Sequence, residues 1–304
     1  MTIDYDRLMN IRIPDVQQRY TRRDTILYAL GLGVGHDPLH PAQLRYVYEE
    51  GLYAMPTQAA ILAYPGFWIR DLDTGIDWVK VVHGEQALTL HRTLPVEATV
   101  TGQTRVVSVT DKGAGRGAVV LARREIFDSG TGDHLATVDS TTFCRGDGGF
   151  GGPSGPSVQP RPLPDRPADA SISLATLPQA ALIYRLSGDY NPLHADPVVA
   201  AAAGFERPIL HGLATYGIAC RAILQAACGN DPARLRSISA RFSAPVFPGE
   251  TIVTEIHVDG RAIDFRARVA ERDVVVLQHG RATIDGAICP DTRSFVEAEL
   301  GEVV

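Results

Sequence analysis

The feature that most constrains this fold is an internal duplication on either side of a segment rich in glycine and proline. Residues 146–170, GDGGFGGPSGPSVQPRPLPDRPADA, cannot hold a helix, and their prolines exclude a central strand. The chain contains LHRTLPVEATVT (90–101) before this segment and the similar stretch RFSAPVFPGETIVT (241–254) after it. Each pattern predicts a strand, a proline-bearing corner and a second strand, so we expect two copies of one unit.

The chain length agrees with two units. With 304 residues, the chain is long enough for two domains of about 150 residues, each with its own core. We expect domains at 1–150 and 169–304, joined by a linker over 151–168. The hydrophobic share of 45% and the charged share of 21% are ordinary for a globular protein. Because the net charge is −6 and Lys and Arg are scattered, we expect no nucleic-acid partner.

Each copy is predicted to be a helix lying against a curved antiparallel sheet, an α+β arrangement. The first copy has a capped helix in YTRRDTILYALGLG (20–33), followed by a mixed helical region over 41–65. The second copy has its longest helix in HGLATYGIACRAILQAAC (211–228), which ends at Gly229 and Asn230. Alternating apolar residues predict strands over 84–94, 96–112, 117–128 and 134–145, and over 237–246, 250–260, 262–273 and 274–284.

The stretch SGDYNPLHAD (187–196) concentrates titratable side chains in a turn with a restrained backbone. One interpretation is an Asx-type turn, in which Asp and Asn accept hydrogen bonds from local amides. The other is catalytic: Asp189 and His194 lie five residues apart around a proline-fixed turn, so their side chains can converge as acid–base chemistry requires. The loop also runs into a predicted helix at Asp196, and catalytic groups are commonly held at the ends of rigid elements.

A second feature, PILHGLAT (208–215), places a glycine at the start of the long predicted helix. Gly212 lets a ligand approach closely, and its free N–H points along the positive end of the helix dipole. Such an amide is a natural donor to an oxyanion. A related stretch of the first copy, GHDPLHP (35–41), looks like a degenerate copy of the 187–196 motif.

The sequences YRLSGDYNPLHADP (184–197) and AGFERPILHGL (203–213) closely resemble the hydratase 2 motif of the MaoC-like family, the (R)-specific 2-enoyl-CoA hydratases. The same domain occurs in peroxisomal multifunctional enzyme type 2. The resemblance covers nearly the whole chain, because the first copy resembles the family's degenerate half at 26–33, 48–57, 80–95, 111–117 and 148–152. It implies a double hot-dog fold, in which each half is a long helix wrapped by an antiparallel sheet and the first half has lost its catalytic loop and widened the acyl tunnel.

The resemblance implies roles for residues of the second copy. Asp189 and His194 are expected to hold and activate a water molecule, and Asn191 to position it. The backbone amide of Gly212 is expected to donate to the thioester oxygen. Tyr184 and Arg185 lie on the approach to the motif, as expected substrate or CoA contacts.

The resemblance also implies contributions from the first copy. Glu49 matches a family carboxylate needed for activity, although a second glutamate follows it and leaves the alignment open by one residue. His83, Gly84 and Lys112 match positions that line the CoA or acyl path, and Phe242 of the second copy is expected to contact the ligand. The alternatives are an ordinary hairpin lysine at 112 and an apolar core side chain at 242.

The implied reaction is the reversible hydration of a trans-2-enoyl-CoA to a (3R)-3-hydroxyacyl-CoA, with a medium- or long-chain, branched or steroid side-chain acyl group. The alternatives are a hot-dog acyl-CoA thioesterase and a non-catalytic acyl-CoA-binding protein. No metal or other cofactor is expected: GLGVG (31–35) and GAGRG (113–117) have the wrong spacing for a dinucleotide. No carboxylate cluster accompanies His83 and His91 in the sequence, which disfavours a metal pair.

The terminal segments and the cysteines predict a soluble cytoplasmic protein. The four cysteines are far apart and form no C-x-x-C pair, which suits a reducing compartment. The first residues, MTIDYDRLMNIRIP, lack the apolar core of a signal peptide, and no run approaches the ~18 apolar residues of a membrane span. The last residues, GEVV, are not a peroxisomal address. We expect no membrane partner, and the family resemblance implies a homodimer.

Overall fold

The computed structural model describes residues 3–155 and 162–288. The strands are β1 (Val16–Tyr20), β2 (Val81–Leu90), β3 (Ala98–Asp111), β4 (Ala118–Asp128), β5 (His134–Cys144), β6 (Ala170–Ala175), β7 (Leu235–Phe242), β8 (Thr251–Asp259), β9 (Ala262–Val269) and β10 (Val274–Ile284). The α-helices are α1 (Tyr5–Met9), α2 (Arg22–Gly31), α3 (Pro41–Leu44), α4 (Trp68–Asp71), α5 (Ala180–Tyr184), α6 (Pro197–Ala202) and α7 (Gly212–Ala227). Within the described ranges, no helix combines the length and the apolar character needed to cross a bilayer.

All ten strands belong to one antiparallel sheet with the order β1-β3-β4-β5-β2-β7-β10-β9-β8-β6. The first five strands lie in the order β1-β3-β4-β5-β2, and the last five lie in the equivalent order β6-β8-β9-β10-β7 when read from the opposite edge of the sheet. Thus β6 pairs with β8 as β1 pairs with β3, and β10 pairs with β7 as β5 pairs with β2. The predicted α+β architecture of two tandem antiparallel units, a double hot-dog, is confirmed by this repetition.

The two units meet at the pair β2 and β7. Glu85 lies opposite Arg241 in this pair, and the Arg241 Nε donates to the Glu85 carboxylate at 2.7 Å. The five paired residues of β2 and β7 continue the hydrogen-bonded ladder from one unit to the next. The sheet is therefore shared, and side chains at one end of β2 and β7 can contribute to one site.

The long helix α7 forms the center of the second unit. Its 16 residues, GLATYGIACRAILQAA, are apolar or small on nearly every side, which is the composition of a helix buried all round. It packs against β6, β7, β8 and β10, and the Tyr216 hydroxyl donates to the Ile238 carbonyl at 2.7 Å. The helix ends where Gly229 and Asn230 adopt positive φ angles of 60° and 59°, as their residue types predict.

The first unit lacks a matching central helix. Its longest helix within residues 3–155 is α2, with ten residues, and α2 packs on α5, its counterpart after the first strand of the second unit. Between α3 and β2, the segment that packs on β2, β5 and α7 is a buried 3₁₀ turn, Pro56–Ala60. The implied long helix in each half is therefore wrong for the first half, because Pro56 and Pro65 leave too few residues between them.

The decayed motif GHDPLHP (35–41) lies between α2 and α3, and the intact motif lies between α5 and α6. Both copies lead into a short helix that starts with a proline, Pro41 in one and Pro197 in the other. In the first copy the side chain of Leu39 is 85% exposed. The duplication therefore extends to the motif itself.

The start of the Gly/Pro-rich segment is fastened to the β3–β4 hairpin. The buried Asp111 carboxylate accepts hydrogen bonds from the amides of Gly113, Gly149 and Gly151 at 2.7–2.9 Å. These donors lower the pKa of Asp111, with the Gly149 amide first among them. A Cβ on Gly148 would lie 2.2 Å from the Gly113 carbonyl oxygen, so the two loops touch through glycine backbone. The predicted domain limits stay a prediction, and residues 156–161 of the predicted linker lie outside the described residues.

Candidate active site

The motif folds into two short 3₁₀ turns between α5 and α6. The first turn, Arg185–Ser187, ends at Gly188, whose φ of 125° is open to glycine and strained for other residues. The second turn, Pro192–His194, begins after Asn191 and leads to Asp196, which caps α6 by accepting from the Val198 amide at 2.8 Å. Proline at the first position of both the turn and α6 fits this geometry.

The Asx-turn interpretation of the motif is correct for its local bonds. The Asp189 Oδ1 accepts from the Asn191 amide at 3.1 Å, and the Asn191 Oδ1 accepts from the Leu193 amide at 3.1 Å. The Asp189 and Asn191 side chains nevertheless remain exposed, and a carboxylate has lone pairs beyond the one used here. The turn therefore shapes the loop and leaves the Asp189 carboxylate free to accept further hydrogen bonds.

His194 is buried at 8% exposure, and its ring is oriented by the backbone. Its Nδ1 lies 2.8 Å from the Ile209 carbonyl oxygen. Because a carbonyl only accepts, Nδ1 carries the proton and Nε2 of the neutral ring is an acceptor. Burial lowers the pKa of His194, against the Ile209 carbonyl and the Asp189 charge, which raise it. His194 is thus held neutral at pH 7 with one basic nitrogen.

His211 is a component of the site that the sequence analysis did not assign. It is 1% exposed and stacks on His194, with ring centroids 3.7 Å apart and planes at 27°. Its Nε2 donates to the Asp189 backbone carbonyl at 3.1 Å, which fixes the loop over the helix. Burial, and then the neighbouring His194, lower the pKa of His211 to about 4. The sequence feature that could have identified His211 is its position directly before Gly212, the first residue of α7.

Asp189, His194 and His211 form one compact polar cluster. A carboxylate oxygen and one nitrogen of each imidazole all lie within 4.8 Å of one another. Such a spacing suits a water molecule held between a carboxylate and an imidazole. The same donors could coordinate a divalent cation, so the expected absence of a metal stays a prediction.

Gly212 places the N-terminus of α7 at this cluster. The first amides of a helix have no acceptor within it, and the His211 side chain does not cap them. Gly212 is exposed, and a Cβ there would lie 3.2 Å from the Phe242 ring. A ligand can therefore approach Gly212 beside the Phe242 ring, as a donor to an oxyanion requires.

The first unit reaches the same place through β2. The rings of His83 and Phe242 have centroids 4.7 Å apart. Gly84 is the extra residue of a bulge, since His83 pairs with Thr142 and residue 85 pairs with Thr141. A Cβ on Gly84 would lie 3.3 Å from the Thr141 carbonyl oxygen. Gly84 therefore packs closely on β5, and the bulge directs His83 toward the α7 N-terminus.

The remaining predicted residues lie around or outside this cluster. Tyr184 is 1% exposed and packs under His211, with ring centroids 4.9 Å apart. The Arg185 guanidinium lies over the exposed Tyr190 ring, with Cζ 4.9 Å from the centroid. Their roles as substrate contacts stay predictions, and burial of Tyr184 favours a supporting position.

Two predicted residues of the first unit have no described contact with the cluster. Lys112 follows β3, which lies three strands from β2, at a distance of about 14 Å. Glu49 is exposed in the loop after α3. In the part of the chain that the structure describes, no contact joins either residue to Asp189 or His194. Their roles stay predictions.

Two domain families match consecutive parts of the chain. The MFE-2 hydratase 2 N-terminal domain matches residues 18–146, and the MaoC like domain matches residues 159–279. The chain is 39% identical over 296 residues to the probable enoyl-CoA hydratase 2 of Dictyostelium discoideum, covering 94% of this chain and 98% of that protein. It is 37% identical over 286 residues to the enoyl-CoA hydratase ChsH3 of Mycobacterium tuberculosis, covering 92% and 98%.

A solved structure is similar over the same length. The MaoC-like dehydratase from Phytophthora capsici superposes with a TM-score of 0.81 at 34% identity, covering 92% of this chain and 98% of that chain. These matches confirm the resemblance that the motifs carried. With relatives this similar along nearly its whole length, the chain belongs to the MaoC-like hydratase 2 family.

Proposed function

We propose that this protein hydrates trans-2-enoyl-CoA thioesters to (3R)-3-hydroxyacyl-CoA and catalyses the reverse dehydration. One observation carries the proposal: the Asp189 carboxylate and the neutral His194 lie beside the exposed Gly212 at the N-terminus of a buried helix. The names of the relatives from Dictyostelium discoideum and Mycobacterium tuberculosis support the same activity.

The chemistry follows from this arrangement. The thioester oxygen accepts a hydrogen bond from the Gly212 amide, which withdraws electrons from the double bond and makes C3 electrophilic. A water held by Asp189 and His194 adds its oxygen to C3 and gives a proton to the pair. The pair delivers one proton to C2 and returns to its starting state. Because the water and the proton come from the same side of the acyl chain, both add to the same face of the double bond.

The first unit is proposed to provide the space for the acyl chain of the substrate. A five-residue 3₁₀ turn, Pro56–Ala60, stands in the first unit where the second has α7. We infer that the acyl chain runs along this side of the molecule, and that the substrates are medium- or long-chain, branched or steroid side-chain thioesters. His83 and Phe242 are proposed to flank the thioester end.

The decisive experiment measures hydration of a panel of trans-2-enoyl-CoAs, from crotonyl through long-chain to a steroid side-chain thioester. Loss of the enoyl absorbance gives the rate, and chiral analysis gives the configuration at C3. Asp189→Asn and His194→Gln are each expected to lower kcat by roughly 10²–10⁴-fold. The matched control is Asp196→Asn in the same loop, because asparagine also caps a helix and activity should persist.

The outcomes separate the alternatives. A (3R) product from the wild type, lost in the two site variants, supports the proposal. Release of free CoA without hydration would indicate the thioesterase. Binding of acyl-CoA without either product would indicate the non-catalytic binding protein. Near-normal turnover in Asp189→Asn would refute the assigned site.

Three further features belong to the same proposal. We propose that the reaction needs no metal or organic cofactor, so activity should survive dialysis against a chelator. We propose a homodimer in solution, which light scattering would test. We propose a cytoplasmic location, for which the support is the wide spacing of the four cysteines, as suits a reducing compartment.

A further inference from the structure

A second cluster of metal-ligating side chains lies far from the proposed active site. His91 follows β2, His134 begins β5, and Glu125 lies in β4; in the sheet order β5 stands between β2 and β4. His91 is eight residues from His83 along β2, so the cluster is about 26 Å from the active-site end of that strand. The described mechanism uses none of these three side chains.

A β-bulge brings the three side chains to one face. Thr137 pairs with Glu125, Ala136 pairs with Ile126, and His134 pairs with Phe127, so Leu135 is an extra residue. Without the bulge, positions 134 and 137 would lie on opposite faces of β5, because strand side chains alternate. The bulge turns His134 to the Glu125 face, as bulges commonly redirect a side chain.

His134 meets the Glu125 carboxylate directly, and His91 reaches it through the Thr137 hydroxyl. The His134 Nε2 lies 2.8 Å from the Glu125 Oε2, and the His91 Nε2 lies 2.9 Å from the Thr137 hydroxyl. That hydroxyl donates to the Glu125 Oε2 at 2.6 Å. The two imidazole rings have centroids 4.1 Å apart. The three ligand atoms all lie within 4.8 Å of one another, so small side-chain shifts would place them around one ion.

We propose that His91, Glu125 and His134 form a binding site for Zn²⁺ or a similar divalent transition metal. Two imidazole nitrogens and one carboxylate oxygen are a donor set that zinc accepts, with a fourth position for water. The second oxygen of Glu125 lies 3.9 Å from the Arg105 guanidinium, which would hold the carboxylate from outside the site. On binding, each ring moves its proton from Nε2 to Nδ1.

The effect of this site is on stability. A metal would join the end of β2 to β4 and β5, whose pairing builds the first unit. An ion that binds the folded chain raises the unfolding temperature by mass action. At a hundredfold excess over Kd, the rise should be roughly 5–10 °C for a chain of this size. The site stands independently of the proposed hydratase activity.

The test is thermal unfolding of chelator-treated protein with and without ZnCl₂, together with calorimetric titration. The wild type is expected to bind one Zn²⁺ per chain and to gain thermal stability, and MgCl₂ should give no gain. His91→Gln and His134→Gln should lose the gain. His36→Gln, which removes an exposed histidine of the same unit, should keep it.

A further variant separates the two clusters. Asp189→Asn removes the carboxylate of the active-site cluster and should keep the full zinc-dependent gain. The proposal is overturned if the wild type shows no gain. It is also overturned if the gain persists in both His91→Gln and His134→Gln, or disappears in Asp189→Asn. Unfolding of each variant without metal checks that it is folded.

Discussion

The buried imidazole of His211 makes the stability of this protein depend on pH. In the folded chain, burial and then His194 lower its pKa from 6.5 to about 4. In the unfolded chain the ring is in water and takes up a proton near pH 6.5. Since the unfolded state binds more protons below pH 6.5, the unfolding free energy falls as the pH falls.

The magnitude follows from the two pKa values. Between pH 7 and pH 5, His211 alone should lower the unfolding free energy by about 2 kcal/mol, and by about 3 kcal/mol once the pH is below 4. This contribution is fully present above pH 6.5 and is lost through the window from 6.5 to 4. His194 adds in the same direction, because burial lowers its pKa as well.

The assay is urea unfolding at pH 5, 6 and 7 of the wild type and His211→Gln. Glutamine can still donate to the Asp189 carbonyl but does not titrate, so the variant should lose about 2 kcal/mol less than the wild type between pH 7 and pH 5. His36→Gln controls for the loss of an exposed histidine. An unchanged pH dependence in His211→Gln would refute the reasoning.

Three further changes test the site, the core and the junction. Gly212→Ala keeps the amide but places a Cβ 3.2 Å from the Phe242 ring, so kcat/KM should fall about tenfold or more while circular dichroism is unchanged. Arg221→Met leaves buried carbonyls of the first unit without their donor, and urea unfolding should show a loss of about 2–5 kcal/mol. Glu85→Gln breaks a half-exposed ion pair with Arg241, so the same measurement should change by no more than about 1 kcal/mol.

Helices with strong local signals were predicted well. The predicted helix 211–228 is observed as Gly212–Ala227, because its apolar composition and its glycine and asparagine end are local signals. The strand predicted over 237–246 ends at Phe242, shortly before Pro245, which cannot continue a ladder. The mixed helical region over 41–65 yielded only the four residues of α3 and a 3₁₀ turn. Its prolines fit that outcome better than the helical prediction.

Contacts between distant segments were not predictable in this way. His211 and His194 stack although they lie 17 positions apart in the sequence, because α6 and the loop after it return the chain to the motif. His91 and His134 meet through a bulge whose register is set by strand pairing. The sequence analysis disfavoured His83 and His91 as a metal pair because no carboxylate cluster accompanies them, whereas the carboxylate near His91 in the fold is Glu125, 34 positions along the chain.

The sequence by itself determined the duplicated architecture, the family and the candidate pair Asp189 and His194. Local patterns in the sequence indicate these properties: the positions of glycine and proline, the alternation of apolar and polar residues in the strands, and a polar turn. Tertiary structure alone decided that the first unit has a turn in place of a central helix, that His211 lies under His194, and that a bulge assembles a second cluster. Burial and strand register arise from contacts across the whole sheet, so a local sequence pattern does not predict them.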